Sequence, residues 1–306
     1  MIYTVTLNPS IDYVVNLDQL IEGEVNRVST ENFYAGGKGI NVSQILHEHG
    51  MNTRALGFVS GFTGDFIQVS LRQKGIKTDF IRLSEGYSRI NMKIKADQEE
   101  TEINGMGPVI SQSQIDQLYR QLDLLTSKDT LVLAGSIPAT LSDDFYEKVM
   151  EYIQHKEVKV VVDATKNLLL NVLKYRPFLI KPNHHEIAEL FNVTISTTEE
   201  LLHYGYRLKE MGARNVLISM GGDGAILIAE NGEVYRSNVP KGTVKNSVGA
   251  GDSMVAGFLA GYEKSKCYEE ALRLGAASGS ATAFSSDVAT IDEISRLVQE
   301  INVKKL

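Results

Sequence analysis

The chain is expected to fold as an α/β protein: a mostly parallel central sheet flanked by helices on both faces, with a small β-sheet lid. Three observations lead there. Short β-rich runs alternate with amphipathic stretches over most of the 306 residues, and a strand–helix–strand rhythm implies parallel strands covered on both sides. The composition, 43% hydrophobic and 23% charged with no low-complexity tract, is that of an ordinary globular chain large enough for one α/β domain. Two segments then break the rhythm with strict alternation, the mark of strands that have one polar face.

Taken in order, Thr4–Leu7, Ala55–Val59, Leu131–Ala134, Val158–Val162, Phe178–Ile180 and Val216–Ser219 read as buried strands. Between them, Ser111–Thr126 places Ile115, Leu118, Leu122 and Leu125 on one helical stripe. Thr197-Thr-Glu-Glu200 before Leu201 and Leu202 is a capping-box start, and Gly212 is a stop.

The alternating segments supply the lid. In Ser88–Ala96, Ile90, Met92, Ile94 and Ala96 share one face, and Arg89, Asn91, Lys93 and Lys95 the other. Glu99–Asn104 can return as a hairpin partner through Asp97-Gln98. Asp12–Leu17, with Tyr13, Val15 and Leu17 in phase, is another candidate strand. The lid is therefore drawn from about residues 11–35 and 87–105, two insertions in a single domain spanning 1–306. Surface hairpins without a lid role are the alternative. An apolar lid face must be covered by the main domain or by a second copy of the chain, so a homodimer through the lid is one arrangement that satisfies it.

A formal net charge of −7 argues against a general nucleic-acid-binding role, which needs a basic face. An anionic ligand would have to be met by a local cluster of cations and N–H groups. The single cysteine, Cys267, excludes an intrachain disulfide and a cysteine-rich metal site. Apolar runs are too short to span a bilayer and the chain opens directly into a strand, so no membrane role and a cytoplasmic location are expected.

The chemistry concentrates near the C-terminal end. Asn246-Ser-Val-Gly249-Ala250-Gly251-Asp252-Ser253 precedes a long apolar segment that reads as a helix. A helix start offers unpaired N–H groups and the positive end of the macrodipole to an anion such as phosphate. Asp252 is placed either to accept a proton from a nucleophilic hydroxyl or merely to cap the helix. Gly36-Gly37-Lys38-Gly39-Ile40-Asn41 is a second glycine-rich helix start without the Walker A spacing, where Lys38 and Asn41 can meet hydroxyls or a phosphate. Asp12 lies just beyond a strand end, where open α/β sheets bind ligands; turn capping is the ordinary alternative.

Asn183-x-x-Glu186 reads as a capping box, or as a place where Glu186 organises Mg²⁺ through water. Lys181 just before it is a candidate nucleotide-site cation. Ser219-Met-Gly221-Gly222-Asp223-Gly224 is a glycine-rich hairpin, or a backbone surface lying against nucleotide phosphates. Arg27 and Arg89 lie in the lid segments, where an arginine fork suits a phosphate dianion; solvated surface arginines are the alternative. His184 and His185 point in different directions on a helix and are read as surface residues.

In this order, Gly-Gly-Lys-Gly-x-Asn, Asn-x-x-Glu, Ser-x-Gly-Gly-x-Gly and Gly-Ala-Gly-Asp closely resemble the ribokinase-like, phosphofructokinase B family of sugar kinases. The resemblance covers nearly the whole chain. Thr4-Val-Thr-Leu-Asn-Pro-Ser-Ile-Asp12 and Gly23-Glu-Val-Asn-Arg27 look like the branch containing 1-phosphofructokinase and tagatose-6-phosphate kinase. The resemblance implies that Asp12, Gly37, Lys38 and Asn41 hold the sugar, and that Asp252 is the catalytic base. It implies that the backbone of Gly249, Ala250 and Gly251 forms an anion hole, that Ser219, Gly221, Gly222 and Gly224 line the ATP site, and that Asn183 and Glu186 support Mg²⁺. The expected partners are ATP and a ketohexose phosphate, preferably fructose 1-phosphate, with tagatose 6-phosphate or fructose 6-phosphate as rivals. From other classes, a non-catalytic sugar-phosphate sensor has no need of the Asp252 base, and a dinucleotide oxidoreductase would need glycine where Met254 stands.

Overall fold

The computed structural model describes residues 1–96 and 99–306; the Asp97-Gln98 connection lies outside the described residues. The strands are β1 (Ile2–Thr6), β2 (Ser10–Asn16), β3 (Thr30–Gly36), β4 (Thr53–Val59), β5 (Thr78–Arg82), β6 (Arg89–Ala96), β7 (Glu99–Asn104), β8 (Thr130–Ala134), β9 (Lys159–Asp163), β10 (Leu179–Ile180), β11 (Asn215–Ser219), β12 (Ala225–Ile228), β13 (Val234–Ser237) and β14 (Val303–Lys305). The helices are α1 (Lys38–Glu48), α2 (Gly61–Gln73), α3 (Gln112–Leu122), α4 (Phe145–Ile153), α5 (Lys166–Val172), α6 (His184–Phe191), α7 (Thr198–Glu210), α8 (Ala250–Ser265), α9 (Tyr268–Ala283) and α10 (Ile291–Val298).

Ten strands form one sheet in the order β14-β13-β12-β11-β10-β9-β8-β1-β4-β5. From β5 across to β11 every pairing is parallel, and β12, β13 and β14 continue it antiparallel. Fully buried runs such as Leu131–Leu133 and Val160–Val162 suit strands covered on both faces. One core packs Leu118, Val149, Leu169, Ile187 and Leu201 of α3 to α7 against Val5, Leu133 and Ile218. The other packs Ile45, Val255, Leu272 and Ile294 of α1, α8, α9 and α10 against Val132, Val161 and Leu217.

The chain starts in the middle of the sheet. β1 pairs with β4 on one side and β8 on the other, so consecutive crossovers leave in opposite directions and a crevice opens beyond the carboxyl ends of β1 and β8. Both lid insertions grow from this edge: β2 and β3 follow β1, and β6 and β7 follow β5. They form a separate four-stranded sheet in the order β3-β2-β6-β7.

The polar face of β6, not its apolar face, is turned inward. Asn91 and Lys93 are buried while Ile90 is exposed. The register sets Phe33, Tyr13, Met92 and Ile103 in one row on the outer side, and Tyr34, Asp12, Asn91 and Asn104 in the neighbouring inner row. Alternation identified the two faces, but only the polar cavity beneath the sheet decides which of them is covered. Helix α2 covers part of the apolar side, where Ile11 packs with Ile67 and Leu71.

Candidate active site

A cavity of about 550 Å³ lies between the lid and the carboxyl edge of the main sheet. Its wall brings together Asp12, Gly37, Lys38, Asn41, Arg89, Gly249, Gly251 and Asp252. Residues separated by more than 200 positions therefore face one space, because the lid strands, α1 and α8 all meet at the crevice.

Helix α1 begins at Lys38, directly after Gly37 at φ 124°. A Cβ on Gly39 would stand 2.6 Å from Thr6 Oγ1, so only glycine lets the first turn of α1 lie against β1. That close approach delivers Lys38 and Asn41 to the cavity. Helix α8 begins after Gly249, which adopts the left-handed conformation at φ 79°. The first four-residue hydrogen bond of this helix runs from Ser253 N–H to the Gly249 carbonyl. The N–H groups of Gly251 and Asp252 precede it and have no partner further back in the helix, whereas the Ala250 N–H, expected in the anion hole, donates to the Ser247 carbonyl over 3.3 Å.

Asp252 is 4% exposed, and Asn41 Nδ2 donates to its Oδ2 over 2.8 Å. Burial pushes its carboxyl group up, to about 6, with Asp163 adding to the rise while Lys38, Asn41 and Lys181 oppose it. Such a group is ionised at neutral pH and is basic enough to take a proton. Asp163, at the end of β9, is 1% exposed. Lys38 Nζ stands 3.3 Å from Asp163 Oδ2 and Lys181 Nζ 3.5 Å from Oδ1. Burial alone pushes the Asp163 carboxyl up, but Lys181 and Lys38 outweigh it and hold the group below its ordinary value. Asp163 in turn raises Lys38, so this pair stays ionised. Lys181 lies behind the α8 turn, with its Nζ 3.0 Å from where a Cβ on Gly251 would be.

A family model described as pfkB family carbohydrate kinase matches residues 5–294. The chain belongs to that family. It is 49% identical over 306 residues to the 1-phosphofructokinase of Bacillus subtilis (strain 168), covering 100% of both chains. It is 36% identical over 307 residues to a D-tagatose-1-phosphate kinase of Bacillus licheniformis, again over 100% of both. A solved structure from Staphylococcus aureus, provisionally described as a phosphofructokinase, has a TM-score of 0.88 at 41% identity, covering 100% of this chain and 99% of that one.

Within this pfkB-family chain the remaining sequence candidates are divided. Arg89 reaches the cavity, half-buried, with Nε donating to the Asn8 carbonyl over 3.1 Å. Burial lowers its guanidinium while Asp12 raises it. Arg27 does not reach the cavity. It is exposed on the connection between β2 and β3. Asn183 and Glu186 form a reciprocal capping box on α6: Glu186 N–H donates to Asn183 Oδ1 over 2.8 Å, and Asn183 N–H to Glu186 Oε2 over 2.7 Å. Glu186 nevertheless faces the charge cluster closely enough to raise Lys38.

Ser219 ends β11 beside Asn183, with which it forms a parallel bridge. Gly221, Gly222 and Asp223 make an exposed turn into β12, outside this cavity. Gly224 packs its backbone against the Ser237 carbonyl. His184 is half-buried and His185 exposed. Among the described residues no group of three or more His, Cys, Asp or Glu side chains could hold a metal ion by itself. Likewise, no described helix is long and apolar enough to cross a membrane.

Sequence reasoning did not single out Asn8, Asn91, Lys93 and Asp163 as site residues, although all four line the cavity. The signal for Asp163 was available, since it follows a buried β-run at the same sheet edge as Asp12. The signal for Asn91 and Lys93 was their shared face with Arg89.

Proposed function

We propose that this chain is an ATP-dependent 1-phosphofructokinase, transferring the γ-phosphoryl group of ATP to O6 of fructose 1-phosphate. The observation that carries the reading is one cavity holding both a buried carboxylate at a helix start, Asp252, and a lid arginine, Arg89. Full-length identity of 49% to a protein named 1-phosphofructokinase supports the same substrate.

In this reading Arg89 pairs with the sugar phosphate, and Asp12 accepts hydrogen bonds from sugar hydroxyls. Asp252 takes the proton of the attacking hydroxyl as its oxygen bonds to the γ-phosphorus, the bond to the β–γ bridging oxygen breaks, and ADP leaves. The free N–H groups of Gly251 and Asp252 face the charge that develops on the transferring group, with Lys38 beside them. Base assistance of this kind gives about 10²–10⁴-fold and one anion-hole donor about 10²–10³-fold. In-line positioning and exclusion of water beneath the lid supply much of the rest. The Ser219–Gly224 turn and Lys181 serve the nucleotide side.

Magnesium held with ATP would neutralise phosphate charge. The capping box uses Oε2 of Glu186, so Oε1 is left to accept from a metal-bound water, which suits an ion that keeps much of its hydration shell. The Asn183 Oδ1 is already committed to the cap, so Asn183 acts by orienting Glu186.

A second reading, a kinase for tagatose 1-phosphate, is favoured by the relative of that name at 36% identity. The lid also offers a pairing surface: Phe33, Ile90 and Ile103 are exposed on its outer side, and a second copy packed there would cover them. Side-by-side kcat/KM values for fructose 1-phosphate, tagatose 1-phosphate, tagatose 6-phosphate and fructose 6-phosphate test the assignment. Fructose 1-phosphate should lead, and ligand binding without ADP production would replace the kinase reading with a sensor.

A further inference from the structure

Alternation along β6 puts Arg89, Asn91 and Lys93 on the cavity wall. Lys93 is the most enclosed of the three, 4% exposed. A lysine is rarely buried to that degree unless its charge is matched. Its Nζ lies 3.0 Å from Asp12 Oδ2 and 4.0 Å from Glu102 Oε1. The other oxygen of Asp12 accepts from Ser10 Oγ at 2.7 Å and from Asn91 Nδ2 at 3.1 Å. The carboxylate also backs onto Gly36, where a Cβ would stand 2.5 Å from Oδ1. Asp12 is thus clamped by β2, β3 and β6 together, and Lys93 supplies the ion pair in the clamp.

The balance of charge on the wall points the same way. Asp12, Glu102, Asp163 and Asp252 face Lys38, Arg89 and Lys93, with Lys181 behind Asp163, so the acids match the cations where a phosphate dianion must enter. Without Lys93, two of the acids would stand on the lid side with only Arg89 opposite them. Lys93 also borders a smaller recess with Asn41 and Val248, which puts it between the Arg89 end of β6 and the α8 turn.

We propose that Lys93 is a positioning residue: it fixes Asp12 in the orientation that accepts from a sugar hydroxyl, and cancels its charge beside the phosphorylated acceptor. The proposal rests on reading the cavity as a ketohexose-phosphate site. Lys93 acts through Asp12, so its loss weakens the sugar and leaves the nucleotide alone.

The test is initial-rate kinetics on Lys93→Met, Lys93→Gln and Lys93→Arg, using whichever ketohexose phosphate the unaltered enzyme turns over best. Losing a hydrogen bond to a charged group predicts that Lys93→Met raises the sugar-phosphate KM about tenfold or more. The ATP KM should stay within about twofold, because no ground-state contact to the nucleotide is removed. Lys93→Arg, which keeps the charge and the donor, should recover most of the loss. An unchanged sugar KM, or equal rises in both KM values, overturns the proposal. If Lys93→Met lowers the melting midpoint enough to blur its kinetics, Lys93→Gln decides by the same split. Failure of the unaltered enzyme to use any ketohexose phosphate overturns the reading of the cavity and this proposal with it. Normal turnover with an indifferent Lys93 overturns this proposal alone.

Discussion

Asn41 and Asp252 are 211 positions apart in sequence, yet the Asn41 amide donates to the Asp252 carboxylate over 2.8 Å. The contact ties the first turn of α1 to the first turn of α8. One residue in that pair belongs to the helix start that is expected to hold the sugar, and the other is the proposed base.

The Asp252 carboxyl sits at about 6 because burial disfavours its charged form. A base must be ionised, so kcat should fall as pH drops below about 6, with the slope of one proton. The stability effect has the opposite direction. A carboxyl raised above its unfolded value favours the folded state at low pH, and that contribution is lost as pH rises through the folded pKa. Thermal melts should show Asp252→Asn more stable than the unaltered protein at pH 8, with the advantage vanishing near pH 4. A constant difference across that range would mean that burial of the charge is not its cause.

The Asn41 hydrogen bond lowers the Asp252 carboxyl. Asn41→Leu should therefore move the acid limb of the kcat profile to higher pH while leaving turnover measurable on the alkaline side. An acid limb that stays in place would remove Asn41 from control of the base.

Asp163 pairs with Lys38 and Lys181; Asp163 and Lys181 are buried, while the Lys38 side chain is 39% exposed at the cavity wall. Asp163→Asn leaves two ammonium groups without their shared counter-charge, and breaking a buried pair costs about 3–5 kcal/mol. Denaturant unfolding should show a loss of that order. A change under about 1 kcal/mol would mean that water already screens the cluster.

Arg89 reaches the cavity beside Asp12 and has given up part of its hydration. Arg89→Ala should raise the KM for the sugar phosphate about tenfold or more while that for ATP changes little. Equal changes in both would count against a phosphate contact at this position.

Much of this architecture is legible in the sequence. The buried runs at Val5, Leu131–Leu133 and Val160–Val162 became parallel strands because little but a doubly covered sheet accommodates them. The capping boxes at Thr197 and Asn183 start α7 and α6 as their spacing requires. The run Phe178–Ile180 marks β10, whereas the three-residue edge strand β14 carries almost no periodicity to read. At the site, glycine-rich helix starts could be recognised locally, because α1 and α8 each need specific backbone freedom. Long-range partnerships could not. Nothing near Lys93 in sequence announces Asp12, and nothing near Asp163 announces Lys38 and Lys181. Arg27 shows the reverse limit: membership of a lid segment does not place a residue on the cavity wall.

The most direct test measures ADP release with saturating ATP and fructose 1-phosphate, comparing the unaltered protein with Asp252→Asn. Substitution of the proposed base should lower kcat by about 10² or more while ATP still binds. Near-normal turnover in Asp252→Asn would contradict the account at its centre.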